Sequence, residues 1–544
     1  GPGDRVAAYL PNIPETVVAF LATASLGAIW TSCAPEFGAR AVVERFAQVE
    51  PVVLFAVDGY RYGGKPVERR GQLRAIVDGL PSLRHLVALP YLDPAWAGDL
   101  GAGPGTGAPP GRRSAGTGPQ TIGFSDLAAD DPDRLEHTQV SFRHPLYILY
   151  SSGTTGPPKA IVHGHGGILV EHLKLLGLHA DLGPGDRFTW FTTTGWMMWN
   201  VLVSGLLVGS TLVLYDGSPG FPSLDMLWSL CESERMSFFG TSAPFIHRCA
   251  KDGLSPGADH DLSTLRTVGS TGAPLSADGF RWVSRAVGGD VPVSSMSGGT
   301  DVCTAFVGGC PVVPVRAGEI SCRYLGAAVS ADHGELVVTE PMPSMPLGLW
   351  GDDDGSRYAA TYFSQRPGTW THGDWLEETD TGGLIITGRS DATLNRGGVR
   401  IGTAEVYRVV EAVPGVADSL VVHMEDQDCL VLLVVAEPGP EDAHSSPVGS
   451  EDRATTSLIE QVTTALRTEL SPRHVPDEVH LVDAVPTTLS GKKLEVPTKR
   501  ILGGAAPDGV ASRGALRDPA ALDAVARLAA QRRGGRSLSG ERRP

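Results

Sequence analysis

The stretch Tyr150–Lys159, YSSGTTGPPK, decides how this sequence is read. It follows the apolar run LYILY (146–150) and precedes AIVH (160–163), so a loop of glycines and small hydroxyl residues joins two strand-like runs. Backbone amides in such a loop can approach an anion closely. Gly153 and Gly156 permit positive φ, Ser151, Ser152, Thr154 and Thr155 add hydroxyl donors, and Lys159 adds a full charge. The composition suits a triphosphate. It is not the P-loop of NTPases, which needs four residues between its glycines and a lysine directly after the second, whereas GTTGPPK has two and two. Pro157 and Pro158 would also spoil the helix start that a P-loop uses. A Ser/Gly surface turn is the plain alternative for a short fragment, and the complete ten-residue string disfavours it.

Around this loop, short apolar runs of β type alternate with longer helical patterns. Val52–Val57 and Thr211–Tyr215 are strand-like, while Glu15–Ala28 and Ala277–Val287 repeat apolar residues at helical spacing. The alternation predicts an α/β fold: a large N-terminal domain with mainly parallel sheets and flanking helices. With 544 residues, the chain exceeds the roughly 250–300 at which one core stops growing. A second, small α+β domain is expected from near Gly388, with Val406–Val413, Leu420–His423, Cys429–Ala436 and Ser457–Leu470 as its elements. The expected division is 1–390 (large domain, with a flexible Gly/Pro-rich insertion at 98–119), 391–502 (small mobile domain) and 503–544 (mostly mobile tail). GPGDRVAAYLPN begins as if a strand were already under way, so an N-terminally truncated chain is expected.

Composition narrows the function classes. A net charge of −16 argues against the basic stripe that nucleic acid requires, but leaves room for small anions held by a few local groups. No run reaches the roughly 20 apolar residues of a membrane span. Seven cysteines, without a CxxC pair or a histidine at zinc-finger spacing, read as buried thiols of a reducing, cytoplasmic compartment. His163 and His165 form an HxH pair without a third ligand nearby, which reads as structural.

Four further stretches follow in order: SGGTD (297–301), WTHGDW (370–375), GRSDATLNRGGVRIG (388–402) and PTTLSGKKLEV (486–496). With YSSGTTGPPK they resemble the adenylate-forming superfamily of acyl-CoA synthetases, nonribosomal adenylation domains and luciferases. IVHGHGG and TTTGWMMWN bring the resemblance closest to its acetoacetate-activating branch and extend it over nearly the whole chain. What the resemblance implies is a two-step ligase: a carboxylate attacks the α-phosphorus of ATP, pyrophosphate leaves, and the thiol of coenzyme A then takes the acyl group from the adenylate. Both partners of the first step are anions, so catalysis must come from positioning and charge neutralisation.

By the same resemblance, Ser151, Ser152, Gly153, Thr154, Thr155, Gly156 and Lys159 grip the departing phosphates, Thr300 touches the α-phosphate and Asp301 helps hold Mg²⁺. The family usually has Glu where this chain has Asp301. Gly272, Ala273 and Pro274 match the stretch lining the adenine, Asp374 and Arg389 the ribose contacts, and Arg400 an arginine near the phosphate. Lys492 matches the mobile catalytic lysine of the small domain, with Lys493 beside it expected to be solvated. Asp391 matches the hinge about which that domain turns. Trp196 matches a wall of the acyl pocket, and Gly298 stands where acetate-specific relatives place a pocket-shortening Trp, which favours a longer acid, acetoacetate first. Arg61 and Lys65 match a region that contacts CoA phosphates. Within the same chemistry the alternative is another short-chain acid of C2–C5. A carrier-protein-loading module would need a neighbouring carrier sequence, and a non-catalytic ATP-binding protein would not need Lys159, Asp391 and Lys492 together.

Overall fold

The computed structural model describes residues 1–99, 118–127, 136–151, 158–390, 394–396, 399–401, 403–424, 427, 429–437, 450–470, 474–489 and 491–537, with backbone only for 394–396, 399–401, 405, 450–456 and 534–537. Most of the insertion expected at 98–119, and the hinge residue Asp391, lie outside these residues.

An eight-stranded sheet opens the chain, in the order Gly348–Leu349, Lys159–Gly164, Pro145–Ser151, Ile29–Cys33, Arg5–Tyr9, Val53–Val57, His85–Leu89, Gln120–Gly123. The central strands pair in parallel, and the two at the Gly348 end are antiparallel. Parallel strands are covered on both faces, which is why RVAAY shows no polar alternation. Val6 and Ala8 enter one core, while Ala7 and Tyr9 enter the other.

A second sheet is wholly parallel, in the order Thr211–Leu212, Arg187–Trp190, Phe238–Ser242, Thr267–Thr271, Val293–Ser295. Gly240 and Gly269 stand opposite each other on adjacent strands. A Cβ at either would meet the Trp190 indole, at 2.2 and 2.7 Å, so the pair forms a trough in which that buried ring lies. Three small antiparallel sheets complete the large unit: Gly59–Tyr62 with Lys65–Glu68; Ser297–Gly299, Thr304–Gly308, Cys322–Arg323; and Val329–Asp332, Glu335–Val338, Trp370–Glu378, Leu384–Arg389. The expected helix at 15–28 forms as Pro14–Ser25, and the one at 277–287 as Ala277–Trp282 continued by a π-helical turn, Val283–Val287.

The small unit pairs Val416–Met424 antiparallel with Cys429–Ala436, and the latter parallel with Glu478–Leu481. Helices Thr403–Val410 and Ser450–Glu469 cover one face of this sheet through Val406, Val409, Val462 and Leu466. Its other face corrects the sequence reading of a mobile tail. Helix Ala520–Ser537 presents Leu522, Val525, Leu528 and Ala529 to Leu420, Val422, Val431 and Leu433. A three-stranded sheet with two apolar faces needs a second cover, and i, i+3, i+6, i+7 spacing supplies one. Arg532 closes the contact with bonds of 2.7 and 2.9 Å to the Glu478 carboxylate. The two units meet where Gly38 N–H donates to Gly514 O at 3.1 Å and Lys251 Nζ to Val416 O at 2.6 Å.

Candidate functional site

Ligands of open α/β sheets gather beyond the carboxyl ends of the strands. Here Trp196 follows strand Arg187–Trp190, Gly272–Pro274 follow Thr267–Thr271, and Gly298–Asp301 follow Val293–Ser295. All of them line one cleft of about 2900 Å³, together with Ser151, Lys159, Asp374, Arg389, Lys492 and Lys493. Ser152, Gly153, Thr154, Thr155 and Gly156 fall outside the described residues. The strands on either side pair antiparallel, with Ser151 opposite Lys159. Arg400 has a described backbone only, on strand Val399–Ile401 opposite Asn395.

Thr300 and Asp301 occupy the tight turn Thr300–Cys303 between Ser297–Gly299 and Thr304–Gly308. Two donors hold the turn: Cys303 N–H reaches Thr300 O at 3.2 Å, and His163 Nε2 lies 3.2 Å from the same carbonyl. Burial lowers the His163 pKa to about 4, so the ring is neutral and donates through Nε2. The HxH pair thus serves Thr300 through one of its members.

Asp301 is the electrostatic centre. Its Oδ1 accepts from Lys159 Nζ at 2.7 Å and from Tyr362 O–H at 2.5 Å. Burial alone would raise the pKa of this carboxyl, but the Lys159 charge and these two hydrogen bonds outweigh it and hold it well below the usual carboxylate range. Lys159 also lies 5.0 Å from the Tyr362 ring centroid, and Tyr362 stacks on buried Trp370 at 3.7 Å. Tyr362 carried no sequence signal, because only folding brings it across 61 positions to Asp301.

Asp374 and Arg389 face each other on paired strands, with Arg389 Nη1 3.6 Å from Asp374 Oδ1. His372 lies 3.6 Å from Asp374. Burial lowers the His372 pKa, so the contact is not an ion pair at neutral pH. Phe306 meets the His372 ring edge-on at 4.5 Å, and Gly299 packs on it so closely that a Cβ would lie 2.9 Å from two ring atoms. Ser390 O–H donates to Glu335 Oε1 at 2.8 Å, steadying the strand end next to Arg389.

Gly298 has a structural reason beyond the acyl pocket. A bulge separates it from Ser297, and a Cβ there would lie 2.1 Å from Thr304 O and 2.4 Å from Ala305 Cα. Both are backbone atoms of the partner strand and cannot rotate away. Gly298→Trp is therefore expected to displace the hairpin carrying Thr300 and Asp301, with a stability cost of about 1–3 kcal/mol and loss of turnover with every acid. Thermal melts and pyrophosphate release with acetate and acetoacetate check this; a stable variant that had merely switched to acetate would contradict it.

Lys492 lies in the turn closed by the Thr487–Lys493 bridge, where Thr488 N–H donates to Lys492 O at 2.8 Å and Lys492 N–H to Thr488 Oγ1 at 3.0 Å. Lys493, expected to be solvated, is instead mostly buried. Its ammonium bonds Asp418, the Ser419 carbonyl and Glu411, the last at 2.9 Å, and sits 4.6 Å from the Tyr407 ring. Lys493 thus anchors the turn, while Lys492 beside it is exposed. Burial would lower the Lys493 pKa, but Glu411 and Asp418 raise it above the ordinary value. Its contribution to stability is therefore complete below the unfolded lysine pKa and lost as pH rises through the higher folded one. Lys493→Met is expected to cost about 2 kcal/mol, after discounting the partial exposure of its partners, and to slow adenylation about tenfold with KM for ATP little changed. Urea melts and steady-state kinetics test both; a tenfold rise in KM alone would point to nucleotide binding instead.

Arg61 and Lys65 are exposed on the hairpin Gly59–Glu68, outside the cleft lining.

The profile of the AMP-binding enzyme family matches residues 1–330, and that of the AMP-binding enzyme C-terminal domain matches 405–492. The chain is 43% identical over 541 residues to the acetoacetyl-coenzyme A synthetase of Rhizobium meliloti (strain 1021), covering 97% of this chain and 78% of that protein. It is 40% identical to the acetoacetyl-CoA synthetase of Gallus gallus, covering 96% and 76%. Among solved structures, acetoacetyl-CoA synthetase from Streptomyces lividans superposes with a TM-score of 0.85 at 47% identity, covering 98% of this chain and 78% of that one. An anthranilate CoA ligase in complex with anthranoyl-AMP shares the fold at a TM-score of 0.70 and 20% identity, covering 90% and 86%.

Proposed function

The chain belongs to the AMP-binding enzymes, in their acetoacetyl-CoA synthetase family, and from that premise we propose how the residues of this cleft divide the work. The reaction is ATP-dependent ligation of acetoacetate to coenzyme A through an acyl-adenylate, giving acetoacetyl-CoA, AMP and pyrophosphate. The observation that carries the reading is the convergence of Lys159, Thr300, Asp301, Asp374 and Lys492, scattered over more than half the chain, on one cleft.

The phosphate loop and Lys159 hold the β- and γ-phosphates. Lys159 and Asp301 neutralise each other as an ion pair. When the triphosphate enters, the ammonium exchanges its carboxylate partner for phosphate oxygens, and Asp301 is released for a cation. A carboxylate held ionised beside the α-phosphate contact suits Mg²⁺, which prefers oxygen ligands and commonly keeps several waters, so a side chain shorter than Glu is no obstacle. Such an ion would neutralise phosphate charge as the bond from the α-phosphorus to the pyrophosphate leaving group breaks. Asp374 accepts the ribose hydroxyls with Arg389 beside it, and Gly272–Pro274 pass along the adenine beside Trp196, whose ring lies 3.6 Å from a Cβ built on Gly272. Lys492 brings a cation to the attacking carboxylate oxygen and the transferring phosphoryl group. In the second step the CoA sulfur attacks the acyl carbon, AMP leaves, and the thiol gives up its proton. Rotation about Asp391 withdraws Lys492 between the steps.

The seven cysteines are all free thiols, which supports a reducing, cytoplasmic setting, and among the described residues no helix is long and apolar enough to cross a membrane. Pyrophosphate release measured with acetoacetate, acetate, butyrate and 3-hydroxybutyrate tests the acid. The highest kcat/KM is expected for acetoacetate; activity confined to acetate would overturn the assignment.

A further inference from the structure

Outside the cleft, three side chains that the sequence keeps far apart converge. His179 ends the π-helical segment Leu175–His179, Cys310 lies just beyond strand Thr304–Gly308, and Cys322 begins strand Cys322–Arg323. The backbone brings them together: Gly308 pairs with Cys322, and His179 Nδ1 lies 3.2 Å from Gly309 O. One imidazole nitrogen and the two sulfurs all fall within 4.8 Å of one another. In a tetrahedral zinc site, with Zn–S near 2.3 Å and Zn–N near 2.0–2.1 Å, ligand atoms are roughly 3.3–3.8 Å apart, so an approach of roughly 1–1.5 Å would close the set.

Backbone groups hold the imidazole in one tautomer. Leu325 N–H donates to Nε2 at 3.1 Å, so Nε2 carries the lone pair and Nδ1–H points at the Gly309 carbonyl. A backbone carbonyl on the opposite nitrogen is the usual support of a metal-bound histidine. An ion on Nε2 would take the place of the Leu325 N–H. His179 is buried against Tyr324 at 4.1 Å, whereas Cys310 and Cys322 are partly exposed and leave an approach. Lys174, 5.8 Å from the Tyr324 ring, is neutralised by Glu171.

We propose that His179, Cys310 and Cys322 form a site for one thiophilic divalent cation of the zinc class, with water as the fourth ligand. Binding turns two thiols into thiolates and releases two protons. The ion would tie the far end of the hairpin whose near end carries Gly298, Thr300 and Asp301, so it acts as a structural staple and not as part of the reaction.

The test uses the full chain, stripped with chelator and kept reduced by a phosphine, and titrated with Zn²⁺ alone against a chromophoric chelator. One equivalent is expected, with a rise of a few degrees in the melting midpoint. Cys310→Ser is expected to weaken uptake at least tenfold while leaving the circular dichroism spectrum unchanged. In the unaltered protein, Co²⁺ is expected to give a thiolate-to-cobalt charge-transfer band, a readout that does not depend on any variant folding. No stoichiometric zinc, equal uptake by Cys310→Ser, or a Co²⁺ complex without thiolate absorption would each overturn the proposal.

Discussion

Lys492→Ala is expected to lower the rate of adenylate formation about a thousandfold while leaving ATP binding within a factor of a few. The size follows from the chemistry. Two anions meet at phosphorus, and removing one well-placed donor or cation at such a centre costs on the order of 10²–10³ in rate. Lys492 is exposed, in a turn whose backbone is held by Thr488 and whose next residue, Lys493, is anchored on Glu411. Two measurements separate its role. Pyrophosphate release from ATP and acetoacetate should collapse, whereas CoA transfer from a preformed acetoacetyl-adenylate should continue at near the original rate. Equal loss of both half-reactions would mean that the residue acts outside the first step.

Asp301→Asn is expected to have the second largest effect, on both stability and turnover. An amide keeps the shape but not the charge, so Lys159 would retain a half-buried ammonium beside a neutral group. Breaking a buried pair costs about 3–5 kcal/mol; with both side chains partly accessible, on the order of 2 is the reasonable figure. Turnover should fall about a hundredfold, and raising Mg²⁺ should restore part of it if the carboxylate meets the cation. The acid limb of stability shares this origin. The folded pKa of Asp301 is depressed, so its contribution is present above the unfolded value near 4 and is lost as pH falls from there towards the folded one. The difference in stability between the protein and Asp301→Asn should therefore be constant at neutral pH and shrink below about pH 4. A difference that grew on acidification would contradict the ion pair.

The candidate site residues were picked out through the order and spacing of motifs that carry a family resemblance, and several of them are close in the chain. Gly298, Thr300 and Asp301 fall within five consecutive residues, and Asp374 lies four residues after Trp370 in one β-strand. Short segments of this kind carry their geometry with them, since a tight turn or a hairpin register depends on neighbours in the chain. The α/β class was equally readable, because strands buried on both faces must be continuously apolar and helices buried on one face must repeat near 3.6 residues.

What the sequence could not determine depended on distant partners. Whether Lys493 is solvated turned on Glu411 and Asp418 arriving from other elements, and the packing of residues 520–529 turned on a sheet face that needed covering. Tyr362, His163 and the His179–Cys310–Cys322 group likewise acquire meaning only when long-range packing sets them beside Asp301, Thr300 and one another. The loop YSSGTTGPPK, with its glycines, hydroxyls and lysine, determined by itself that an anion could be held. Only the tertiary structure decided that Lys159 would meet Asp301 there, because burial and charge pairing are properties of places in space, not of positions in a chain.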